Sequence, residues 1–386
     1  MRVLLFTDTL ADVNGVARFI GDAATEADRT GRALTVFTST PGKVPGLTNV
    51  RNFRPAASMA MPAYPQLSLA APPVMEMLRA AQEFSPDVVH VSTPGPVGTV
   101  GRWFARRRGL PLAGVYHTDF PEYVQRIIGK ESLTDVCSAT MAWFYRPFRA
   151  VFTRSEEYAS AVRGLGIPEE RIARLKPGID LRKFGADRRD AGIWERLGCG
   201  AADVRMLYVG RVSVEKGLPL VTGVWAEARR MMAERGVRAG LAVVGDGPYR
   251  GVMQRELAGE GVDFLGFRHG EELAALYASA DVFVFPSATD TLGQVVLEAQ
   301  ASGVPVLVTD VGGPRGVVKD GETAMVLPAT DAGAWREAMV ALGVDEARRA
   351  RMGEAAEAWG RGFGFPASFA DFWAAHERIA AAYHRA

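Results

Sequence analysis

Hydrophobic positions fall into short runs separated by Gly, Pro, Asp and Asn, and the runs alternate between strand-like and helix-like spacing. Residues 2–7 (RVLLFT) predict a first central strand. Residues 16–28 predict the helix after it, because Ala17, Ile20, Ala23 and Ala24 recur at helical spacing. Further apolar runs at 34–38, 87–91, 112–116 and 151–153 continue this series, and a second series occupies 206–209, 241–244, 262–265, 282–285 and 304–309. Helices are expected at 133–148, 271–278 and 368–384. Continuous apolar runs alternating with helices imply α/β units built on parallel sheets buried on both faces. Residues 41–73, rich in Pro, Met and Ala, have no period and read as a long irregular loop; residues 181–203, charged and aperiodic, read as a linker. The expected domains are 1–185 and 186–362, followed by a terminal helical segment 363–386.

Candidate chemistry gathers at 285–303, FPSATDTLGQVVLEAQASG. Asp290 precedes a helix and Glu298 sits on its second turn, while Thr291, Leu292, Gly293 and Gln294 place backbone N–H groups at the helix start, a seat for phosphate. Acids on either side of an anion seat would repel a bare phosphate. They fit a diphosphate carrying hydroxyl-rich groups at both ends, the layout of a nucleotide-sugar. The loop 210–217 (GRVSVEKG) follows the first strand of the second series and carries Gly210, Arg211 and Lys216, cations able to reach such a diphosphate or simply to be solvated in a turn. Asn14 and Gly15 lie at the mouth of the first helix, where Gly15 serves either a close ligand approach or a turn. His90 reads as structural. His117, in HTDFP at a strand end, reads on residues alone as structural or as a site group, and Arg268 and His269 lie on a later loop.

Taken in order, these segments resemble the retaining, nucleotide-sugar-dependent glycosyltransferases of the GT-B fold: the Gly15 loop, HTDF at 117–120, G-R-x4-K at 210–216, and D-x7-E at 290–298, with Asp290 in place of the first Glu of the E-x7-E signature. HTDFPxY at 117–123 is typical of a subgroup that includes bacterial lipid mannosyltransferases and sulfolipid synthases. The resemblance implies an α/β fold of two Rossmann-like domains facing each other across a cleft, with the last helix crossing back to the first domain. It implies that His117 sits beside the transferred sugar, that Arg211 and Lys216 clamp the diphosphate, that Asp290 holds sugar hydroxyls and that Glu298 holds the ribose. Asn14, Gly15, Gly210, Thr291, Leu292 and Gly293 become donor-binding candidates, and Arg268 a base-side one. Gly316 stands where many members carry Glu, and Ala324 where many carry Gly. The implied donor is a UDP- or GDP-sugar such as GDP-mannose, a co-substrate with no further cofactor, and the acceptor a lipid or lipid-linked glycan. Two alternatives remain: a soluble or polysaccharide acceptor, or a nucleotide-sugar-binding protein or isomerase of the same fold.

Composition narrows this picture in a few places. No Asp-x-Asp pair occurs, so no metal site is expected, and Pro248 breaks the only approach to a dinucleotide motif, Gly245-Asp246-Gly247. Cys137 and Cys199 fall in different expected domains, against a disulfide framework. Net charge is +1, split as about +6 over residues 1–185 and about −5 over the rest, which does not suggest nucleic acid. The excess lies in Arg102, Arg106, Arg107, Arg108, Arg146, Arg149 and Arg154, near a helix bearing Met141, Trp143, Phe144, Tyr145 and Phe148. That is either a solvated face or a basic face held against an anionic membrane. With neither a signal-peptide pattern at the start nor an apolar run of membrane-spanning length, the expected location is the cytoplasm, peripheral at the inner membrane face.

Overall fold

The structure, a computed structural model, describes residues 1–12, 15–61, 64–290 and 292–383. The chain forms two compact units, Met1–Lys176 with Pro366–Ala386, and Pro177–Phe365. In unit 1 the strands are β1 (Arg2–Phe6), β2 (Ala33–Thr38), β3 (Val50–Asn52), β4 (Ala57–Met61), β5 (Tyr64–Ala71), β6 (Val88–Val91), β7 (Leu112–Val115), β8 (Ala150–Thr153) and β9 (Ile172–Arg174). Seven of them form a parallel sheet in the order β3-β2-β1-β6-β7-β8-β9. Unit 2 holds β10 (Val204–Val209), β11 (Ala239–Val244), β12 (Val262–Gly266), β13 (Val282–Phe285), β14 (Val306–Thr309) and β15 (Ala324–Leu327), parallel in the order β12-β11-β10-β13-β14-β15. The two Rossmann-like parallel sheets expected from the sequence are therefore present. Their strands read as unbroken apolar runs because helices cover both faces: every residue of β10, β11 and β13 is buried.

Strand order fixes where ligands can sit. In each sheet the chain first builds outward from a central strand and then returns to its other side, so order reverses between β1 and β6 and between β10 and β13. Loops leaving the carboxyl ends of those paired strands diverge and open a crevice. Parts of three of the sequence motifs fall there: residues 7–12 after β1, 210–217 after β10, and 286–290 after β13.

Two expectations need correction. Residues 41–73 are not simply irregular: β3 extends the sheet edge, and β4 and β5 pair antiparallel as a separate two-stranded ribbon. The stretch 181–203 is packed rather than a free linker. Phe184 and Ile193 are buried in the core of unit 2, Phe184 standing edge-on to Tyr277 at 5.6 Å, and each such burial is worth roughly 2 kcal/mol. The terminal helix Phe365–Tyr383 extends from the junction into unit 1. There Phe372 meets Phe19 edge-on at 5.9 Å, Ser368 Oγ donates to the Lys176 carbonyl at 2.6 Å, and Tyr383 donates to the Gly109 carbonyl at 2.5 Å.

Candidate active site

In unit 2 the two loops at the strand-order reversal meet at three points. Lys216 Nζ lies 2.8 Å from Asp290 Oδ2, an ion pair left about one fifth to one quarter exposed. Thr289 Oγ1 donates to the Glu215 carbonyl at 3.1 Å. Gly217 has a φ of 72°, open to glycine but strained for other residues, and a Cβ there would collide with the Pro286 carbonyl oxygen. Tyr208 at the end of β10 donates its hydroxyl to the Arg211 carbonyl at 2.7 Å, fixing the start of the basic loop. The sequence motifs alone did not reveal Tyr208 or Thr289 as site-shaping residues. An aromatic with a polar tip at the last turn of a buried strand is the one signal that could have found Tyr208.

The helix Gln294–Ala301 starts at Gly293, whose φ of 70° and contact with Pro314, 2.9 Å from where a Cβ would lie, leave no room for a side chain. No side chain among the described residues caps this helix, and the Gly293 carbonyl receives the Val296 amide at 2.9 Å. Leu292 is buried beneath the turn, and Glu298 is buried on the second turn. Thr291 and Asn14 lie outside the described residues. Gly15 is the exposed first residue of the helix Gly15–Arg29 in unit 1.

Arg211 and Lys216 share a loop, yet differ. Lys216 is committed to Asp290, whereas the exposed Arg211 guanidinium has no partner among the described residues. A partly exposed ion pair is worth about 1 kcal/mol or less, so a ligand carrying two phosphate charges can displace Asp290 from Lys216. Arg268 is not joined to this pair. Its contacts are local: Nε forms an ion pair with Glu272 at 3.2 Å and Nη1 donates to the Phe267 carbonyl at 3.1 Å. Beside it Phe267, 57% exposed, lies flat against His269 with centroids 6.4 Å apart. Among the described residues no group of three or more His, Cys, Asp or Glu side chains could hold a metal ion.

In unit 1 His117 follows β7, half-buried, its Nε2 3.1 Å from Ser92 Oγ. Burial, and then the charge of Arg154, hold its pKa well below the usual histidine value, so it is neutral at pH 7. The following Asp119 is a cap: its carboxylate accepts from the Glu122 amide at 3.2 Å and the Tyr116 hydroxyl at 3.1 Å, starting the helix Phe120–Ile128. His90 is buried, as its structural reading required. The tautomers follow from its neighbours. His376 Nδ1–H donates to the Phe372 carbonyl at 2.7 Å, which leaves His376 Nε2 to accept from His90 Nδ1–H at 2.9 Å.

Sequence comparison supplies the family. Residues 203–345 match the family model described as "Glycosyl transferases group 1", and residues 13–183 match "Glycosyltransferase Family 4". A GDP-mannose-dependent alpha-mannosyltransferase of Mycobacterium tuberculosis is 32% identical over 339 residues, 85% of this chain and 84% of that protein. The chain belongs to the group 1 glycosyltransferases. An alpha-monoglucosyldiacylglycerol synthase of Streptococcus pneumoniae is 29% identical to this glycosyltransferase, over 80% of this chain and 70% of its own length. The sulfoquinovosyl transferase of Arabidopsis thaliana is 30% identical, over 69% of this chain and 51% of its own. Among solved structures, a sucrose-phosphate synthase from Thermosynechococcus elongatus superposes with a TM-score of 0.79 at 19% identity, covering 99% of this chain and 100% of that one, a likeness of fold.

Proposed function

We propose that this glycosyltransferase moves a hexosyl unit, with retention and without a metal ion, from a nucleoside diphosphate sugar to a hydroxyl of a lipid or lipid-linked acceptor. The observation that carries the reading is the Lys216–Asp290 pair beside a helix start that no described side chain caps, at the strand-order reversal of unit 2. A cation, a ring of backbone donors and a carboxylate within one loop cluster match the three parts of such a donor.

In this mechanism the donor diphosphate takes Lys216 from Asp290, and Arg211 closes from the same loop. Asp290, released, accepts hydrogen bonds from sugar hydroxyls. Glu298 holds the ribose, with the backbone of Gly210, Thr291, Leu292 and Gly293 around the phosphates and Arg268 toward the base. The bond from the anomeric carbon to the phosphate oxygen breaks as that carbon bonds to the acceptor oxygen on the same face, and the hydroxyl proton passes to the departing phosphate. Charge accumulates on the leaving diphosphate, where Arg211, Lys216 and the helix start stabilise it without a metal or other cofactor. In unit 1, Asn14, Gly15 and neutral His117 serve the sugar and acceptor side.

Peripheral membrane contact has support in unit 1. Leu133, Val136 and Trp143 on the helix Glu131–Tyr145 are exposed, as is Trp103 on the helix Pro96–Arg108, whose Arg106, Arg107 and Arg108 are also exposed. Arg102 does not belong to that solvated face: it is buried, donates to the carbonyls of Trp143 and Phe144 at 3.0 Å, and stacks 3.9 Å from the Trp143 ring centroid. No helix among the described residues is long and apolar enough to cross a membrane.

The decisive experiment is a thermal-shift screen of UDP, GDP, ADP and their sugars, beginning with GDP-mannose, followed by transfer to diacylglycerol and phospholipid acceptors with and without EDTA. Stabilisation by a nucleoside diphosphate and EDTA-resistant transfer with α-linked product are expected. No stabilisation by any of them, or transfer that EDTA abolishes and a divalent ion restores, would overturn the reading.

A further inference from the structure

The carboxyl edge of the unit 1 sheet holds a cation that the chemistry above does not use. In the sequence Arg154 is one more residue of a basic cluster, but it is not on a solvated face. In the parallel ladder of β7 and β8, Val115 lies opposite Phe152, and the Tyr116 amide extends the pairing by donating to the Phe152 carbonyl at 2.8 Å. The same register brings His117 and Arg154 out of the sheet side by side. The Arg154 guanidinium lies 4.4 Å from the Phe19 ring centroid, and its Nη2 is buried with no hydrogen-bond partner.

No carboxylate answers this charge among the described residues. Asp8, the acid that follows β1, accepts instead from Thr93 Oγ1 at 2.6 Å and from the amides of Val97 at 2.7 Å and Gly98 at 3.2 Å. Burial lowers the Arg154 pKa only to about 10, so the group stays charged at neutral pH. A ring face attracts the cation but satisfies no N–H in its plane. A desolvated guanidinium without an anion is costly in the free protein, and its planar fork of donors matches a phosphate group.

We propose that Arg154 binds a phosphate ester on the acceptor, beside His117, so that the acceptor class is a phosphorylated polyol or the headgroup of a phospholipid. The inference rests on the glycosyltransferase reading and names the acceptor class of that same enzyme. It makes Arg154 a specificity-determining residue, one that selects among hydroxyl-bearing acceptors by their charge.

The test uses the full chain and two probes, glycerol 3-phosphate and phosphatidylglycerol vesicles, at constant ionic strength, with glycerol and phosphatidylcholine vesicles as phosphate-free and zwitterionic controls. The expected result is protection of the parent by one of the two phosphate probes, glycerol 3-phosphate marking a soluble ester and the vesicles a lipid headgroup. Arg154→Met should weaken that binding at least tenfold while raising the unliganded thermal midpoint, because it removes a charge that has no counter-ion; a residue with a merely structural role would lower it. Arg154→Lys, which keeps the charge and the fold but loses the fork, should bind several-fold more weakly than the parent. Equal protection of parent and variants, or protection of the parent by neither phosphate probe, overturns the proposal. Nucleoside diphosphate stabilisation is read in parallel on every variant: its absence in the parent would count against the glycosyltransferase reading itself, and its persistence in Arg154→Met shows that the donor unit is intact.

Discussion

At the carboxyl edge of the unit 2 sheet Lys216 and Asp290 hold each other at 2.8 Å, whereas in unit 1 His90 and His376 are buried against each other and the half-buried His117 and Arg154 have no acidic partner among the described residues. Two sheets of like strand order thus handle charge in two ways. The exposed pair costs little to break, so a ligand can exchange partners with it. The withdrawn groups cost much to charge, so three histidines stay neutral and one arginine lacks a counter-ion. One edge is built for exchanging ionic partners and the other for holding a fixed pattern of donors and acceptors.

Lys216→Ala should break this contrast most severely. Removing the cation that meets the leaving diphosphate should cost several kcal/mol at the transition state and lower kcat on the order of 10²-fold or more; turnover within twofold of the parent would remove Lys216 from the clamp. Next comes pH. His376 titrates at about 4 when folded and near 6.5 when unfolded, because burial opposes its charged form. The unfolded chain binds the extra proton first, so stability is full above about pH 6.5 and declines toward pH 4, by on the order of 3 kcal/mol from this group, with His90 and His117 adding in the same direction. Urea unfolding across that range checks the slope, and His376→Gln should make it shallower; a parent profile level from pH 7 to 4 would contradict the neutral pair. Asp290→Asn sharpens the comparison from the other side. With Lys216 released in advance, a nucleoside diphosphate should bind at least as well as to the parent, while transfer falls roughly tenfold for want of a charged acceptor to the sugar hydroxyls. Calorimetry and initial rates on one variant would separate these, and weaker diphosphate binding would argue against partner exchange. Smallest of all, Thr289→Val loses one bond between the two loops and should cost about 1 kcal/mol or less in thermal stability.

Much of the fold was legible because parallel strands buried on both faces leave continuous apolar runs, as in VFVF of β13. The ribbon of β4 and β5 was not, since ASMAM carries little strand propensity and no alternation. Nor was the packing of residues 181–203, where Phe184 and Ile193 are widely spaced anchors in a polar stretch without a period. The loops of unit 2 that carry the motifs converge, but the pairing of Lys216 with Asp290, 74 residues apart, depends on strand order. Nothing in the sequence separates Arg154 from Arg146 and Arg149. Only the register of β7 and β8 sets it beside His117, and only the fold brings His376 to His90, 286 residues away.

The terminal helix gives unit 1 a history as well as a shape. Its residues come from both ends of the chain, with the whole of unit 2 inserted between Lys176 and Pro366. On the ribosome the first 176 residues therefore emerge with their sheet sequence complete but with Phe19 lacking Phe372 and the His90 imidazole lacking its acceptor, until roughly 200 further residues have been made. Unit 2, continuous in sequence, has no such wait and can finish folding first. Synthesis of the helix Phe365–Tyr383, rather than emergence of its own strands, is then the event that completes unit 1.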